Sequence, residues 1–287
     1  KLKLTVPAVD YDQEGSVGTL QLRVLSDNYQ DFALVIEVKT KNKIVPEPDG
    51  TVSAAEITYG QMLEASTIVG RMKDGSKTVN GTFAWANGTV RPNAGSYDAE
   101  WTFTPDESYG GIYAAAAGKV TIRANPKTVR ITDITAEDKV YDGTTAATLD
   151  CSRAVLEGRL EGDDLTVAAA GVFRQADAGR EKALVVDLSI TLTGKDKDNY
   201  VIDDANSQRD TSAYITPATL IVTPDADQSK VFASAEPALT YTVSGAANGE
   251  IPVFTGALAR AEGENVGTYA ITPGSLALKS GGSFRAD

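Results

Sequence analysis

One stretch of the chain reads Asn93-Ala94-Gly95-Ser96-Tyr97-Asp98-Ala99-Glu100-Trp101-Thr102-Phe103-Thr104. It opens with a turn-forming triplet, and from Tyr97 onward apolar and polar residues alternate strictly. A period of two is what a β-strand with one buried face requires. The stretch therefore predicts a turn followed by a half-buried strand.

The triplet that opens this stretch recurs along the chain. Its counterparts are Asp177-Ala178-Gly179 and Asn265-Val266-Gly267, with the looser Ser16-Val17-Gly18 near the beginning. The four glycines lie 77, 84 and 88 residues apart, and such a spacing is typical of an array of similar small modules. Because glycine after Asn or Asp suits a tight turn with positive φ, we expect a left-handed backbone at these glycines.

A second marker follows each glycine by about ten to twenty residues. It reads Asp27-Asn28-Tyr29, Asp106-Glu107-Ser108-Tyr109, Asp198-Asn199-Tyr200 and Gly282-Ser283-Phe284. Each marker ends one apolar run and precedes the place of another. The first unit is therefore expected to hold only the late part of a repeat, and the last unit to stop where another strand should begin. We expect a segment of a longer protein, monomeric apart from possible edge-strand association at the C-terminal unit, whose open sheet edge can pair with another chain.

The fold class follows from the many short alternating runs bounded by turn residues. Helix signals are few, and Asn87-Gly88 is a strong hairpin signal. This pattern predicts an all-β fold, a tandem array of small antiparallel immunoglobulin-like β-sandwiches with incomplete units at both ends. Short proline-containing linkers restrict the angle between neighbouring units, so we expect the array to be extended and semi-rigid.

Proline positions divide the predicted array into four units. The boundaries are set by Pro46 and Pro48, by Pro126 and by Pro217. The predicted units are a partial β unit at 1–45, a second module at 46–125, a third module at 126–217 and a fourth module at 218–287.

Composition limits the classes of partner. The 287 residues carry 39 acidic and 27 basic side chains, for a formal net charge of −12. This charge repels phosphate backbones, so we expect no nucleic-acid partner. No apolar run approaches the roughly 20 residues that a membrane helix needs, so no membrane insertion is expected in this segment. The lone Cys151 cannot form an internal disulfide, and we expect a small buried or loop residue rather than a reactive thiol.

Catalytic chemistry has little support in the sequence. The chain contains no histidine, which removes the usual general base and the commonest transition-metal ligand. The acidic clusters Asp163-Asp164, Asp196 with Asp198, and Asp203-Asp204 lie beside turn signals, where solvated carboxylates are expected. Calcium could take oxygen ligands from Asp196, Asp198, Asn199 and Asp203, although the spacing of an EF-hand is missing. We therefore predict no enzyme and no catalytic, cofactor-binding or metal-binding residues.

A self-formed Lys–Asn isopeptide crosslink is left open as an alternative. The sequence does not single out the buried Lys, Asn and acidic residue that such a crosslink requires.

The aromatic residues raise the question of carbohydrate binding. Trp85 and Trp101 could stack on sugar rings, but each shares a strand face with other aromatic residues, which predicts a core position. Tyr29, Tyr109 and Tyr113 lie near module ends and are the better surface candidates, although a tyrosine at the repeated marker position is more often packed under a loop.

Three segments resemble known families. The third module is similar to the YDG repeat domain of bacterial surface proteins, through Lys139-Val140-Tyr141-Asp142-Gly143-Thr144-Thr145-Ala146 together with Leu192-Thr193-Gly194-Lys195-Asp196-Lys197-Asp198-Asn199-Tyr200. The fourth module resembles the MBG domain, a mostly bacterial immunoglobulin-like module, through Lys230-Val231-Phe232-Ala233, Glu236-Pro237-Ala238-Leu239-Thr240-Tyr241 and 263–271. Phe232-Ala233 stands where that family often has Tyr-Gly. The second module, with Ile57-Thr58-Tyr59-Gly60-Gln61 and Gly81-Thr82-Phe83-Ala84-Trp85, resembles related bacterial Ig-like repeats.

These resemblances imply tandem modules of large exported, adhesin-like proteins, and they bring no catalytic residues. The leading hypothesis is a non-catalytic stalk or spacer of a bacterial cell-surface protein, located outside the cell at the surface or wall. One alternative is direct adhesion to a host or matrix protein or to a glycan. Another is an accessory role in a secreted carbohydrate-active enzyme.

Overall fold

The computed structural model describes residues 15–25, 27–179, 183–279 and 282–286. The predicted all-β class is confirmed, because these residues form short strands in many small sheets. Short 3-10 turns occur at Leu63–Ala65, Glu107–Tyr109 and Lys197–Asn199, and no α-helix occurs within the described ranges. The chain divides into two compact units, residues 1–126 and 127–287.

The described part of the first 45 residues is a β-hairpin. Its strands are β1 (Gly15–Val24) and β2 (Phe32–Thr40), paired antiparallel with Leu22 opposite Leu34. Gly18 lies inside β1, beside a shift of register after Ser16, so the turn expected at this glycine is not present. A bulge absorbs the irregular residue within the strand instead.

The second module is a small sandwich. Its strands are β3 (Glu47–Pro48), β4 (Ser53–Ala54), β5 (Ile57–Thr58), β6 (Ile68–Val69), β7 (Met72–Asp74), β8 (Lys77–Val79), β9 (Gly81–Trp85), β10 (Gly95–Pro105) and β11 (Ala116–Asn125). The sheet β5-β11-β10-β9 contributes Trp101 and Phe103 to a core that also contains Met72 and Val79 from the sheet β3-β7-β8. The alternation predicted from Tyr97 onward is confirmed, since Ala99, Trp101 and Phe103 are all buried.

The third module repeats this plan. Its strands are β12 (Lys127–Thr132), β13 (Thr135–Ala136), β14 (Lys139–Val140), β15 (Ala146–Ala147), β16 (Leu149–Asp150), β17 (Val155–Glu157), β18 (Thr166–Phe173), β19 (Leu184–Thr193), β20 (Tyr200–Ile202), β21 (Asp210–Ala213) and β22 (Ile215–Thr216). They form a four-stranded sheet β15-β18-β19-β21 and a three-stranded sheet β17-β12-β20, with the pairs β13-β16 and β14-β22 beside them.

The fourth module has shorter strands. They are β23 (Ala218–Pro224), β24 (Tyr241–Ser244), β25 (Phe254–Thr255), β26 (Ala259–Arg260), β27 (Ile271–Thr272), β28 (Ala277–Leu278) and β29 (Phe284–Ala286). β23 lies between β24 and β29, as β12 lies between β17 and β20. The residues described in this module contain no counterpart of β21 and β22.

In the second, third and fourth modules, a buried aromatic residue pairs in parallel with a residue at or just before the start of the module. The pairs are Ile44 with Tyr113, Lys127 with Tyr200, and Ala218 with Phe284. The three rings are 7%, 6% and 7% exposed, which identifies them as equivalent closing residues. In the second module the closing aromatic is Tyr113, which follows Tyr109 of the marker. One expectation is corrected. The last unit does not stop before another strand, because β29 begins at the marker's own Phe284.

The third and fourth modules share one hydrophobic core. It joins Tyr141, Phe173, Val186, Ala213 and Ile215 to residues that follow Pro217, namely Ala218, Leu220 and Phe284. Ile215 and Leu220 are 0% exposed, so apolar packing continues across the proline between β22 and β23. Burial of this kind provides the main stabilising free energy of a β-sandwich.

Candidate functional site

Acidic residues singled out in the sequence accept hydrogen bonds from other residues of the same module. Asp196 accepts a hydrogen bond from the Asp164 amide at 2.8 Å, and Asp203 accepts one from the Asn206 side chain at 2.7 Å. The Asn206 hydrogen bond lowers the pKa of Asp203. Asp163 accepts a hydrogen bond from the Tyr200 hydroxyl. Among the described residues, no three His, Cys, Asp or Glu side chains come together as a metal site would require.

The tryptophans are structural. Trp101 is 3% exposed, and its ring meets that of Phe83 edge-on with centroids 5.2 Å apart. The Trp85 ring packs against the same core, and its Nε1 donates a hydrogen bond to the Ser66 carbonyl at 2.9 Å. The predicted core position is confirmed for Trp101, and Trp85 is partly buried against the same core.

The three tyrosines proposed as surface candidates have different environments. Tyr113 is buried as a closing residue, which contradicts its surface assignment. Tyr109 packs against the core and its hydroxyl accepts a hydrogen bond from the Asn80 amide at 2.8 Å. Tyr29 is 84% exposed in the hairpin connection. Sequence alternation could not separate Tyr109 from Tyr113, because both lie in the same irregular loop between β10 and β11.

Lys139, the first residue of the YDG-like motif, organises a loop. Its Nζ donates hydrogen bonds to the Asp142 carboxylate at 2.8 Å and to the carbonyl groups of Thr144 and Ala146 at 2.8 and 3.0 Å. The hydrogen bond from Lys139 is the largest of the effects that hold the pKa of Asp142 at about 2. The lysine side chain is only 18% exposed, so its charge is directed into the protein rather than toward a ligand.

Tyr141 of the same motif reaches the fourth module. Its hydroxyl donates a hydrogen bond to the Glu250 carboxylate, and its ring lies 5.3 Å from that of Phe284. The hydrogen bond to Glu250, followed by burial, raises the pKa of Tyr141 to about 12. Next to it, a Cβ placed on Gly143 would lie 2.8 Å from the Cβ of Asn248, so the two modules also approach closely at this loop.

The recurring triplet makes a second contact across the same boundary. The Ala178 amide donates a hydrogen bond to the Ser283 hydroxyl at 2.9 Å, over a sequence separation of 105 residues. The Ser283 hydroxyl also lies 3.5 Å from the Asp177 carboxylate, and Ser283 itself is buried. The triplet of the third module thus meets the marker of the fourth, a pairing that no local sequence signal indicated. We call the contacts of Tyr141 and Ala178 with the fourth module the junction.

The fourth module contains a groove of about 390 Å³. Its lining includes Lys230, Phe232 and the triplet Asn265-Val266-Gly267. Ion pairs from Glu236 to Lys230 and Arg260, each at 2.6 Å, also line the groove.

These charges are paired with one another. The Arg260 guanidinium also pairs with Glu264 at 3.0 Å and lies 4.9 Å from the centre of the Tyr269 ring. Hydrogen bonds from Arg260 and Lys230 together hold the pKa of Glu236 at about 2.

The turn glycines are only partly as expected. Gly95 has a φ of 121°, so its predicted positive φ is confirmed. Gly267 does not have a positive φ, and a Cβ there would meet nothing within 4 Å. The loop of the fourth module follows a different path, and this triplet therefore does not require glycine for its backbone.

The departure of the fourth module from the MBG motif affects the backbone conformation of one loop residue. Ala233 stands where the MBG resemblance expects glycine, and it has a φ of 62°. Gly143 in the corresponding loop of the third module has a φ of 74°. The fourth module therefore keeps a left-handed loop residue without the amino acid that adopts this conformation most easily.

Comparison with known families agrees with these motifs. Residues 125–208 match the model of the YDG domain, and residues 220–280 match that of the MBG domain (YGX type). The chain carries a YDG domain followed by an MBG domain. The junction described above is thus a contact between these two domains. No curated protein matches the chain. In the part of the chain that the structure describes, no helix is long and apolar enough to cross a membrane.

Proposed function

We propose that the chain is a non-catalytic stalk or spacer segment of a large, bacterial, adhesin-like protein of the cell surface. The observation that carries this proposal is the core shared by the YDG and MBG domains. Ile215 before Pro217 and Leu220 after it are both 0% exposed, so a change of angle at this connection would expose apolar surface to water and is resisted. A spacer that holds a distal domain away from the cell needs joints of this kind.

The chemistry of the side chains fits the same role. Lys139 and Lys230, which hold equivalent places in the two domains, are only 18% exposed and bind their own loops. The aromatic rings at strand starts close the modules. These residues do structural work, and the proposal accordingly assigns no catalytic residue and no cofactor.

Small-angle scattering of the full chain tests the proposal. The expected result is the scattering profile of an elongated monomer that changes little with salt concentration. A profile of a compact globule would reject the spacer role. The control is a variant with a four-residue insertion of Gly and Ser after Pro217. Its flexible joint should broaden the distribution of interatomic distances obtained from the scattering.

Direct adhesion is the second candidate, and exposed apolar side chains favour it. Val231, Ile251 and Val266 of the MBG domain are 77%, 89% and 91% exposed, and in the hairpin Tyr29 and Phe32 are 84% and 59% exposed. Exposed apolar surface marks interaction sites when it forms a contiguous patch, and the exposed Phe232 and Val266 line one groove. Binding of the full chain to immobilised matrix proteins or to a glycan array, lost on replacing these residues by Asp, would support adhesion over a spacer role.

A further inference from the structure

The groove of the MBG domain has a counterpart in the YDG domain. Lys127 and Ala218 are equivalent, because each begins the parallel pair with a closing aromatic residue. Lys139 and Lys230 each lie twelve residues further along, and both side chains are 18% exposed and bound to their own loops. Phe232 of the MBG domain is therefore the equivalent of Tyr141.

In the YDG domain, the space between these elements holds the chain's own strand. The Lys139 amide donates a hydrogen bond to the Tyr214 carbonyl at 2.9 Å, and the Tyr141 amide donates one to the Thr216 carbonyl at 2.8 Å. From the other side, the Gly179 amide donates to the Ile215 carbonyl at 3.1 Å. β22 thus lies between the lysine motif and the triplet, and Ile215 is fully buried there.

In the MBG domain, the corresponding elements line the open groove. Within the described residues, the amides of Lys230, Phe232 and Gly267 donate no hydrogen bond, whereas their counterparts Lys139, Tyr141 and Gly179 all bind β22. Phe232 is 64% exposed, against 7% for Tyr141. The described residues that line the groove therefore include three with unbonded backbone donors, together with the apolar side chains of Phe232 and Val266.

We propose that this groove binds an extended peptide strand, which takes the place that Tyr214-Ile215-Thr216 occupies in the YDG domain. The occupant is a segment with the chemistry of residues 212–216, in which Ala213 and Ile215 supply buried apolar side chains at alternate positions. Main-chain donors with pockets for alternate side chains are the features of β-strand addition. A charged ligand fits less well, because the acidic and basic groups that line the groove are already paired.

The test adds a fluorescent peptide with the sequence of residues 209–217 to the full chain. The expected result is saturable binding of one peptide per chain, measured by fluorescence polarisation. Hydrogen exchange at the amides of Lys230, Phe232 and Gly267 should slow at least tenfold in the complex. The same peptide with Ile215→Asp should bind at least tenfold more weakly, because its charge would enter the apolar position.

Two variants of the chain locate the binding. Val266→Asp should weaken binding at least tenfold without affecting the fold, since Val266 is 91% exposed. Val253→Asp is the matched control, because Val253 is exposed in the same domain but does not line the groove, and it should bind the peptide normally.

The proposal is overturned if the peptide does not bind, if the Ile215→Asp peptide binds equally well, or if protection appears away from the three amides. Sedimentation of the chain without peptide provides a further check. Dimers that are lost in Val266→Asp would show that a second copy, rather than an extended strand, covers the groove.

Discussion

The ring of Tyr141 stands edge-on to the ring of Phe284, with centroids 5.3 Å apart and planes at 88°. One residue belongs to the YDG domain and the other closes the MBG domain, so a single aromatic pair belongs to the cores of both. Edge-to-face pairs add to the free energy of burial. The pair gives the junction a specific geometry as well as apolar surface.

Removal of the Phe284 ring should therefore affect both domains. We expect Phe284→Ala to lower the free energy of unfolding by about 3 kcal/mol, since it leaves a cavity in a shared core. Hydrogen exchange should accelerate at Phe173 and Val186 in the YDG domain. Tyr269→Ala is the control, because its ring lies 4.9 Å from the Arg260 guanidinium within the MBG domain and is not part of the shared core. Unchanged exchange of the YDG amides in Phe284→Ala would contradict a shared core.

Alkaline pH should loosen the junction. The hydrogen bond to Glu250 and burial raise the pKa of Tyr141 from 10.0 to about 12. The folded protein thus binds this proton more tightly than the unfolded chain, so the stabilisation is complete below pH 10 and is lost as the pH rises toward 12. Melting temperatures from pH 8 to pH 12 should fall less steeply in Tyr141→Phe than in the unaltered protein. Equal slopes would show that Tyr141 does not contribute.

The alkaline experiment needs a second variant as a control. Burial and the hydrogen bond to Asp163 also raise the pKa of Tyr200 to about 12. Tyr200→Phe should remove a separate part of the pH dependence, and it should leave the exchange of junction amides such as Ala178 unaffected.

Loss of the Lys139 side chain, which donates hydrogen bonds to its own loop, should destabilise the YDG domain. We expect Lys139→Met to cost about 1–3 kcal/mol, because the carbonyl groups of Thr144 and Ala146 lose their donor. The pKa of Asp142, measured by NMR titration, should rise from about 2 toward its ordinary value. Lys119→Met is the control, since that side chain is 70% exposed and pairs only at the surface, and it should change stability by less than about 0.5 kcal/mol.

Glycine at position 233 should stabilise the MBG domain. Ala233 has a φ of 62°, a conformation that costs an L-residue about 1–2 kcal/mol, whereas glycine adopts it freely. After allowance for the greater entropy of glycine in the unfolded chain, we expect Ala233→Gly to gain about 0.5–1 kcal/mol. The neighbouring exposed Ala235 has no positive φ, so Ala235→Gly should not stabilise the protein in the same denaturant titration. Equal effects of the two changes would refute the strain at Ala233.

The two triplet glycines should differ in their tolerance of alanine. Gly95→Ala is expected to cost about 1–3 kcal/mol, because a φ of 121° is strained for any residue with a Cβ. Gly267→Ala should stay within about 0.5 kcal/mol, since neither φ nor a neighbouring atom opposes the Cβ. Thermal denaturation of both variants measures the difference. A large loss in Gly267→Ala would indicate a constraint that the structure does not contain.

The sequence predicted the local features of the fold well. Strict alternation located the buried face of β10, with Ala99, Trp101 and Phe103, because a strand exposes its side chains with a period of two. The motif around Lys139 and Tyr141 was found from its resemblance, and the family model confirms it. These signals depend on residues close together in the chain.

The contacts between motifs could not be predicted in this way. Ala178 and Ser283 were both recognised as parts of recurring turns, but 105 residues separate them. A turn pattern specifies backbone direction and contains no information about a distant partner. Tyr113 was placed at the surface for the same reason, since its burial depends on a parallel contact with Ile44 that follows no local period.

The single proline between β22 and β23 has a consequence for the exchange of modules between proteins. Ile215 and Ala218 belong to one core on either side of Pro217, and Tyr141 is matched to Phe284. In a chimera joined at Pro217, each domain would have to pack against the aromatic residues of an unrelated partner domain. Recombination between related genes should thus transfer this pair as one cassette, with partners of either half chosen together.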